Sequence, residues 1–244
     1  MEDIRYYLYS LLKGLSKLKG LGIYHRDIKP SNFLYNPSQQ YGIITDFGLS
    51  EIDQDYLAEL EARGKHEPTE KLSTRVQLYR EVARMNSSSG RLKFGTELYM
   101  PLETLLKWEK QSYSSDVWPV GVIFLQFIMK KFYVFNSFLE RTDCSELKRN
   151  ERRIVTFLME LASLFGNDKV KEGCECLGVK VVQLPEASET QNISIRNLSC
   201  IELDEHGEDL LRRLMDVNPR KRITADEALR HEFFRSIRNR KKKQ

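Results

Sequence analysis

The stretch from His25 to Gly48 constrains this chain more than any other. His25-Arg26-Asp27-Ile28-Lys29-Pro30-Ser31-Asn32 is followed by Thr45-Asp46-Phe47-Gly48. Lys29 stands two residues after Asp27, Asn32 five after it, and Asp46 a further 14 beyond Asn32. The apolar residues between them, Phe33, Leu34, Ile43 and Ile44, read as strand, turn and strand over residues 32–34 and 41–45. The set is one carboxylate, one ammonium and two hard oxygen donors. Phosphoryl transfer from a metal-bound nucleotide requires those groups.

A single Asp or Asn here is an ordinary turn residue, but two motifs in this order are far more specific. Together they resemble the protein kinase signature. The resemblance implies the roles. Asp27 is the catalytic base for the substrate hydroxyl, and Lys29 places positive charge beside the transferring phosphoryl group. Asn32 and Asp46 hold Mg2+, and with Lys29 they form the ATP phosphate site. His25, Arg26, Phe47 and Gly48 complete the two motifs. A Lys at position 29 resembles serine/threonine rather than tyrosine kinases.

Three later stretches extend the likeness. Gly95-Thr96-Glu97-Leu98-Tyr99-Met100-Pro101-Leu102-Glu103 resembles the end of a kinase activation segment. Thr96 then bonds near Asp27 and Lys29. Glu103 is in register, although Met100-Pro101-Leu102 replaces the usual context and shifts the proline by one. Ser115 to Val122 resembles the central helix of the large lobe, with Asp116 bracing the catalytic loop through its backbone and Ser114 or Ser115 as N-cap. Asn218 to Thr224 resembles the closing motif, which implies a buried ion pair between Arg222 and Glu103. Thr224-Ala225-Asp226-Glu227 has the capping-box spacing.

The expected fold class is mainly α: a kinase-like C-terminal lobe over residues 1–234, helical with short β-hairpins at the catalytic loop. Helices are expected over residues 3–21 (Ile4, Leu8, Leu11, Leu12, Leu15, Leu18), 54–62, 73–85, 151–165 and 209–217. A short strand is expected over residues 179–182 and a polar connection over 185–200. An insert is expected at about 53–92, because 57 residues separate Asp46 from Glu103, long for a kinase activation segment, and a second at about 135–200, in the extended region after the central helix. Only 24 residues precede His25 and no glycine-rich loop lies among them, so the N-terminal small lobe is expected to be absent.

Residues 25–36, with Phe33 and Tyr35, resemble the cell division control protein seven family, the Dbf-dependent kinases of replication origin firing. That resemblance implies a nuclear serine/threonine kinase, an activating regulatory subunit of the Dbf type, and MCM helicase subunits as substrate.

Composition adds exclusions. Net charge is +4, but the last ten residues hold six cations and the body sums to about −2. The basic tail, residues 235–244, reads as a localisation signal or a solvated end, and direct nucleic-acid binding is not expected. The apolar run Val117 to Met129 is too short for a bilayer and reads as a core helix. No secretory signal is read at Met1-Glu2-Asp3, so the cysteines are expected to stay reduced. Cys174, Cys176, Cys200 and His206 match no common zinc spacing. Three readings stay open: a kinase, a catalytically incomplete kinase-like chain that binds a partner, and a nucleic-acid-associated protein. Retention of Asp27, Lys29, Asn32 and Asp46 favours the first.

Overall fold

The computed structural model describes residues 1–66, 76–81, 95–108, 112–138, 146–180 and 194–241. Helix α1 (Glu2–Gly20) runs through the middle of the fold. It buries Tyr6, Leu8, Leu11, Leu12, Leu15 and Leu18, one stripe at helical spacing. Glu2 and Asp3 in its first turn and Lys17 and Lys19 in its last complement the helix dipole. Gly22 ends it with φ +69°, and a Cβ there would lie 2.2 Å from the Tyr56 ring.

The chain then makes two small antiparallel ribbons. Strand β1 (Ile23–Tyr24) precedes the catalytic loop. β2 (Phe33–Asn36) and β3 (Tyr41–Ile44) form the expected hairpin, pairing Phe33 with Ile44 and Leu34 with Ile43. β4 (Glu51–Ile52) returns to β1, pairing Ile23 with Ile52 and Tyr24 with Glu51. Sequence pattern does not show this second ribbon, because two-residue strands have no periodicity.

Asp53 starts α2 (Gln54–His66): its Oδ1 accepts from the Asp55 amide at 3.0 Å, and its Oδ2 accepts from the Tyr113 hydroxyl at 2.7 Å. Burial, followed by the Asp53 carboxylate, pushes the Tyr113 hydroxyl pKa well above its usual value. Residues 76–81 are helical, and the Tyr79 hydroxyl donates to Leu21 O at 2.6 Å. The rest of the helix expected over 73–85, and the loop expected over 86–90, lie outside the described residues.

Helix α3 (Tyr113–Met129) is buried almost all round, with Trp118, Phe124 and Leu125 fully enclosed. Its N-cap is Ser112, which accepts from the Ser114 amide, rather than Ser114 or Ser115. No helix among the described residues is long and apolar enough to cross a membrane. α4 (Glu146–Phe165) starts earlier than expected and places Phe157 against Trp118 and Phe135. α5 (Asn167–Cys176) follows across Gly166.

Val179 and Lys180 form no strand: the Val179 amide closes α5 by donating to Cys174 O. Residues 181 and 182 lie outside the described residues. In place of a wholly irregular connection, Ile195–Leu198 is a single helical turn. α6 (Glu205–Leu214) is capped by Asp204 and starts four residues upstream of the expected 209. The capping box of α7 (Ala225–Arg230) forms as its spacing predicts.

Of residues 235–244, expected as a basic tail, Arg235–Lys241 continue the fold as α8, and 242–244 lie outside the described residues. Ile237 is buried, Arg238 donates to Leu229 O at 3.2 Å, and Arg240 donates to Glu2 and to the Tyr6 hydroxyl. Ile237 faces the core, Arg238 ties this end to the close of α7, and Arg240 ties it to α1. A charge run alone gives no sign of that.

Candidate active site

The catalytic loop is held from below by Asp116, buried near the start of α3. Its Oδ2 accepts from the His25 amide and its Oδ1 from the Arg26 amide, both at 2.7 Å. Burial raises the Asp116 pKa, while those two amides favour the carboxylate. Arg26 adopts the left-handed region with φ +69°, which costs a non-glycine residue about 1–3 kcal/mol and persists only where neighbours impose it. Here the Asp116 bond imposes it from one side. The ion pair between the Arg26 guanidinium and Glu51 on β4 imposes it from the other.

His25 is fully buried beneath the loop. Its Nδ1 accepts from the Asp27 amide at 3.3 Å, so its Nε2 donates to Thr45 O at 3.0 Å. One ring thus links the Asp27 loop to the segment carrying Asp46. The Phe47 ring lies edge-on to it at 5.0 Å and is itself nearly half exposed.

Asp27 is the centre of the site, with 8% of its surface exposed. Its Oδ2 receives Lys29 Nζ at 2.6 Å and Asn32 Nδ2 at 3.0 Å. Its Oδ1 receives the Thr96 amide at 2.8 Å and the Thr96 hydroxyl at 3.1 Å. Burial pushes its pKa up, but the donors from Lys29 and Thr96 outweigh that and hold the carboxyl below its usual value. A carboxylate has about four acceptor sites, and all are used here. An incoming hydroxyl must therefore displace a donor. Lys29 and the Thr96 hydroxyl are the side-chain donors free to rotate away, and they also bond each other at 2.9 Å.

Asn32 also donates to Asp27 O at 2.9 Å, so its amide nitrogen is fully engaged. Its Oδ1 receives no hydrogen bond from a described residue. Asp46 is exposed at φ +63°, with one carboxylate oxygen accepting from the Gly48 amide at 3.3 Å. The Thr45 amide donates to Asn32 O at 2.9 Å and ties the two positions together. Two uncommitted hard oxygens beside an ammonium fit a magnesium-bound polyphosphate.

Glu103 and Arg222 meet with no solvent exposure, Nη1 to Oε1 at 2.5 Å and Nη2 to Oε2 at 3.0 Å. This bidentate pair fixes the end of the segment that carries Thr96.

Gly95 is a site residue that motif reading does not single out. A Cβ there would lie 2.4 Å from Arg26 O and 2.8 Å from Asp27 Oδ1. Only glycine lets Thr96 come so close. Its position directly before Thr96 is the available signal. Ser50 and Glu51 are also missed by sequence reading: the Ser50 hydroxyl donates to His25 O at 3.3 Å.

Among the described residues, Cys174, Cys176, Cys200 and His206 form no ligand cluster. Burial raises the Cys174 thiol pKa, Cys200 is exposed beside Met129 O, and His206 is exposed on α6. No group of three or more His, Cys, Asp or Glu among the described residues is placed to hold a metal.

Residues 1–62 and 80–234 match the family described as protein kinase domain. The chain is 28% identical over 248 residues to "Probable cell division control protein 7 homolog 1" of Encephalitozoon cuniculi, covering 96% of this chain and 66% of that relative. It is 27% identical over 257 residues to "Cell cycle serine/threonine-protein kinase hsk1" of Schizosaccharomyces pombe, covering 96% and 48%. It is 28% identical over 263 residues to "Cell cycle protein kinase spo4" of the same yeast, covering 96% and 58%. The chain spans about half to two thirds of the length of these curated relatives.

Proposed function

The chain belongs to the protein kinase family, and we propose that it is a cell-cycle serine/threonine kinase that transfers the ATP γ-phosphoryl group to a protein hydroxyl. The observation that carries this is the Asp27 carboxylate, ionised and fully bonded by Lys29, Asn32 and Thr96. Each donor fixes its orientation. Geometry of the base decides proton transfer before pKa does.

The chain's own residues act as follows. A serine or threonine hydroxyl takes the place of a rotatable donor on Asp27 and gives up its proton there. The displaced Lys29 ammonium faces the transferring group, where negative charge spreads. Asn32 Oδ1 and Asp46 would hold Mg2+, which would supply neutralisation of the negative charge that develops in phosphoryl transfer. Leu34 and Ile43, cross-strand partners exposed by 63% and 53%, offer a flat apolar surface for the base. Asp116, His25 and Arg26 position the loop.

The likeness of residues 25–36 to the cell division control protein seven family supports a finer reading. On it, the kinase acts in the nucleus at the initiation of DNA replication, under a Dbf-type regulatory subunit, on MCM helicase subunits. The test is phosphorylation of a serine-containing protein by the full-length chain with Mg-ATP. Asp27→Asn is expected to abolish transfer while leaving Mg-ATP binding within about twofold; a fully active Asp27→Asn protein refutes the mechanism.

A further inference from the structure

Lys130, Lys131, Phe132 and Tyr133 leave the end of α3 as consecutive exposed residues. Phe132 is 65% exposed and Tyr133 44%. Their rings stand edge to face at 4.9 Å. Single exposed apolar side chains are ordinary on a protein surface. Here two aromatic rings are held out on a backbone fixed at both ends. On the near side Lys130 caps α3 in the left-handed region at φ +52°, the Lys131 amide donates to Gln126 O at 3.3 Å, and Gln126 Nε2 donates to Phe132 O at 2.6 Å. On the far side Glu160 of α4 accepts from the amides of Asn136 and Ser137 at 2.6 and 3.2 Å, and Phe135 is buried against Phe157. Binding to these rings therefore needs no ordering of a loose loop.

Charge says what fits them. Neither Lys130 nor Lys131 pairs with a carboxylate among the described residues, and the Glu160 carboxylate is taken up by the two amides. Aromatic rings beside two such ammonium groups complement an aromatic or long aliphatic side chain flanked by carboxylates. The patch is also joined to the candidate active site. The Tyr99 hydroxyl donates to Gln126 Oε1 at 3.3 Å, and Tyr99 closes the turn that begins at Thr96, whose amide and hydroxyl hold Asp27. Burial raises the Tyr99 hydroxyl pKa, the Gln126 bond opposes that, and the neighbouring Tyr133 adds to it. Tyr133 therefore faces the same turn.

We propose that Lys130–Tyr133 is a docking site for the protein substrate, and that it takes a segment presenting an aromatic or long aliphatic side chain among carboxylates, separate from the target hydroxyl. This rests on the reading that Asp27 receives a protein hydroxyl. The site acts through affinity alone and takes no part in the transfer.

The test uses the full-length protein and a pair of probes. The first is a fluorescein-labelled peptide holding Asp-Asp-Phe-Asp and no serine, read by anisotropy. The second joins that segment through a flexible Gly-Ser linker to a serine peptide, and its kcat and KM are compared with those of the serine peptide alone. The segment is expected to lower KM about tenfold and leave kcat unchanged. Phe132→Ala with Tyr133→Ala is expected to weaken the labelled peptide about tenfold and to abolish the KM gain, with the short serine peptide and the circular dichroism spectrum unchanged. Lys130→Gln with Lys131→Gln is expected to weaken it about fivefold and to flatten its salt dependence. Equal affinity and an equal KM gain in wild type and the aromatic variant, or no peptide binding to wild type, overturn the docking role while the kinase reading stands. Peptide binding that the aromatic variant loses, with no transfer to either serine peptide, overturns the kinase reading and keeps the docking surface. Oligothymidylate that binds tighter than the peptide, and is lost in the same variant, assigns the surface to single-stranded nucleic acid and overturns the peptide occupant.

Discussion

Removing one partner of the Glu103–Arg222 pair tests whether that pair holds the activation segment to the scaffold. In Arg222→Met the apolar side chain keeps the packing under Trp118, over which the guanidinium sits at 5.0 Å. Everything polar is lost. The Glu103 carboxylate, fully buried, retains only the Ser115 hydroxyl at 3.1 Å. The carbonyls of Asp216 and Ser114 lose donors at 2.9 and 3.0 Å. Breaking a buried pair from one side costs about 3–5 kcal/mol, so Arg222→Met is expected to cost about 4 kcal/mol. For a chain of this size that is a fall in Tm of about 10 °C. Urea and thermal unfolding followed by circular dichroism read it directly. Adding Glu103→Leu removes the stranded charge and is expected to recover about half, with the two orphaned carbonyls accounting for most of the remainder. A cost below about 1 kcal/mol for Arg222→Met, or a double variant that equals the sum of the two single variants, refutes the reasoning.

Other perturbations read other parts of the site. Gly95→Ala forces Thr96 off Asp27 and is expected to lower kcat about 100-fold, the scale of a 1 Å misplacement, with the circular dichroism spectrum unchanged. Because the folded Asp27 pKa is lowered, its ionic contribution to stability is present above the unfolded value of about 3.9 and is lost as pH falls through the lower folded value. Thermal melts from pH 7 to pH 2 are expected to fall less steeply below pH 4 in Asp27→Asn than in wild type. Asp46→Asn is expected to raise the Mg2+ concentration needed for nucleotide binding about tenfold or more with an unchanged Tm, measured by titration calorimetry. Thr224→Ala removes one half of the α7 capping box and is expected to cost about 1 kcal/mol in urea unfolding.

Much of this site was legible in the sequence because its chemistry depends on short spacings. Asp27, Lys29 and Asn32 stand within one loop, and their mutual bonds follow from an offset of two and five residues. The Asp116 bonds to the loop amides and the Glu103–Arg222 pair also match the reading, carried by motif likeness across 90 and 119 residues. The capping box over Thr224–Glu227 needed only local offsets. Where expectation and structure part, the deciding contact is one that residue pattern does not carry. Val179 reads as strand by its β-branched neighbours, but its amide bonds back to Cys174 O and caps the end of α5. The last cations read as a solvated tail, but Ile237 among them has a place in the core.

By itself, then, the sequence carried the motif residues Asp27, Lys29, Asn32 and Asp46 at their spacings, the helical periodicity of α1, and the family likeness, because each is written in residue types at fixed offsets. Only the tertiary structure decided that the Thr96 amide and hydroxyl share Asp27 Oδ1, that Gly95 must lack a side chain, and that Glu51 closes a ribbon onto Arg26. Those contacts join residues 25 to 69 positions apart. Distance in space between such residues is set by how α1, α3 and α4 pack, and no local pattern in the chain encodes it.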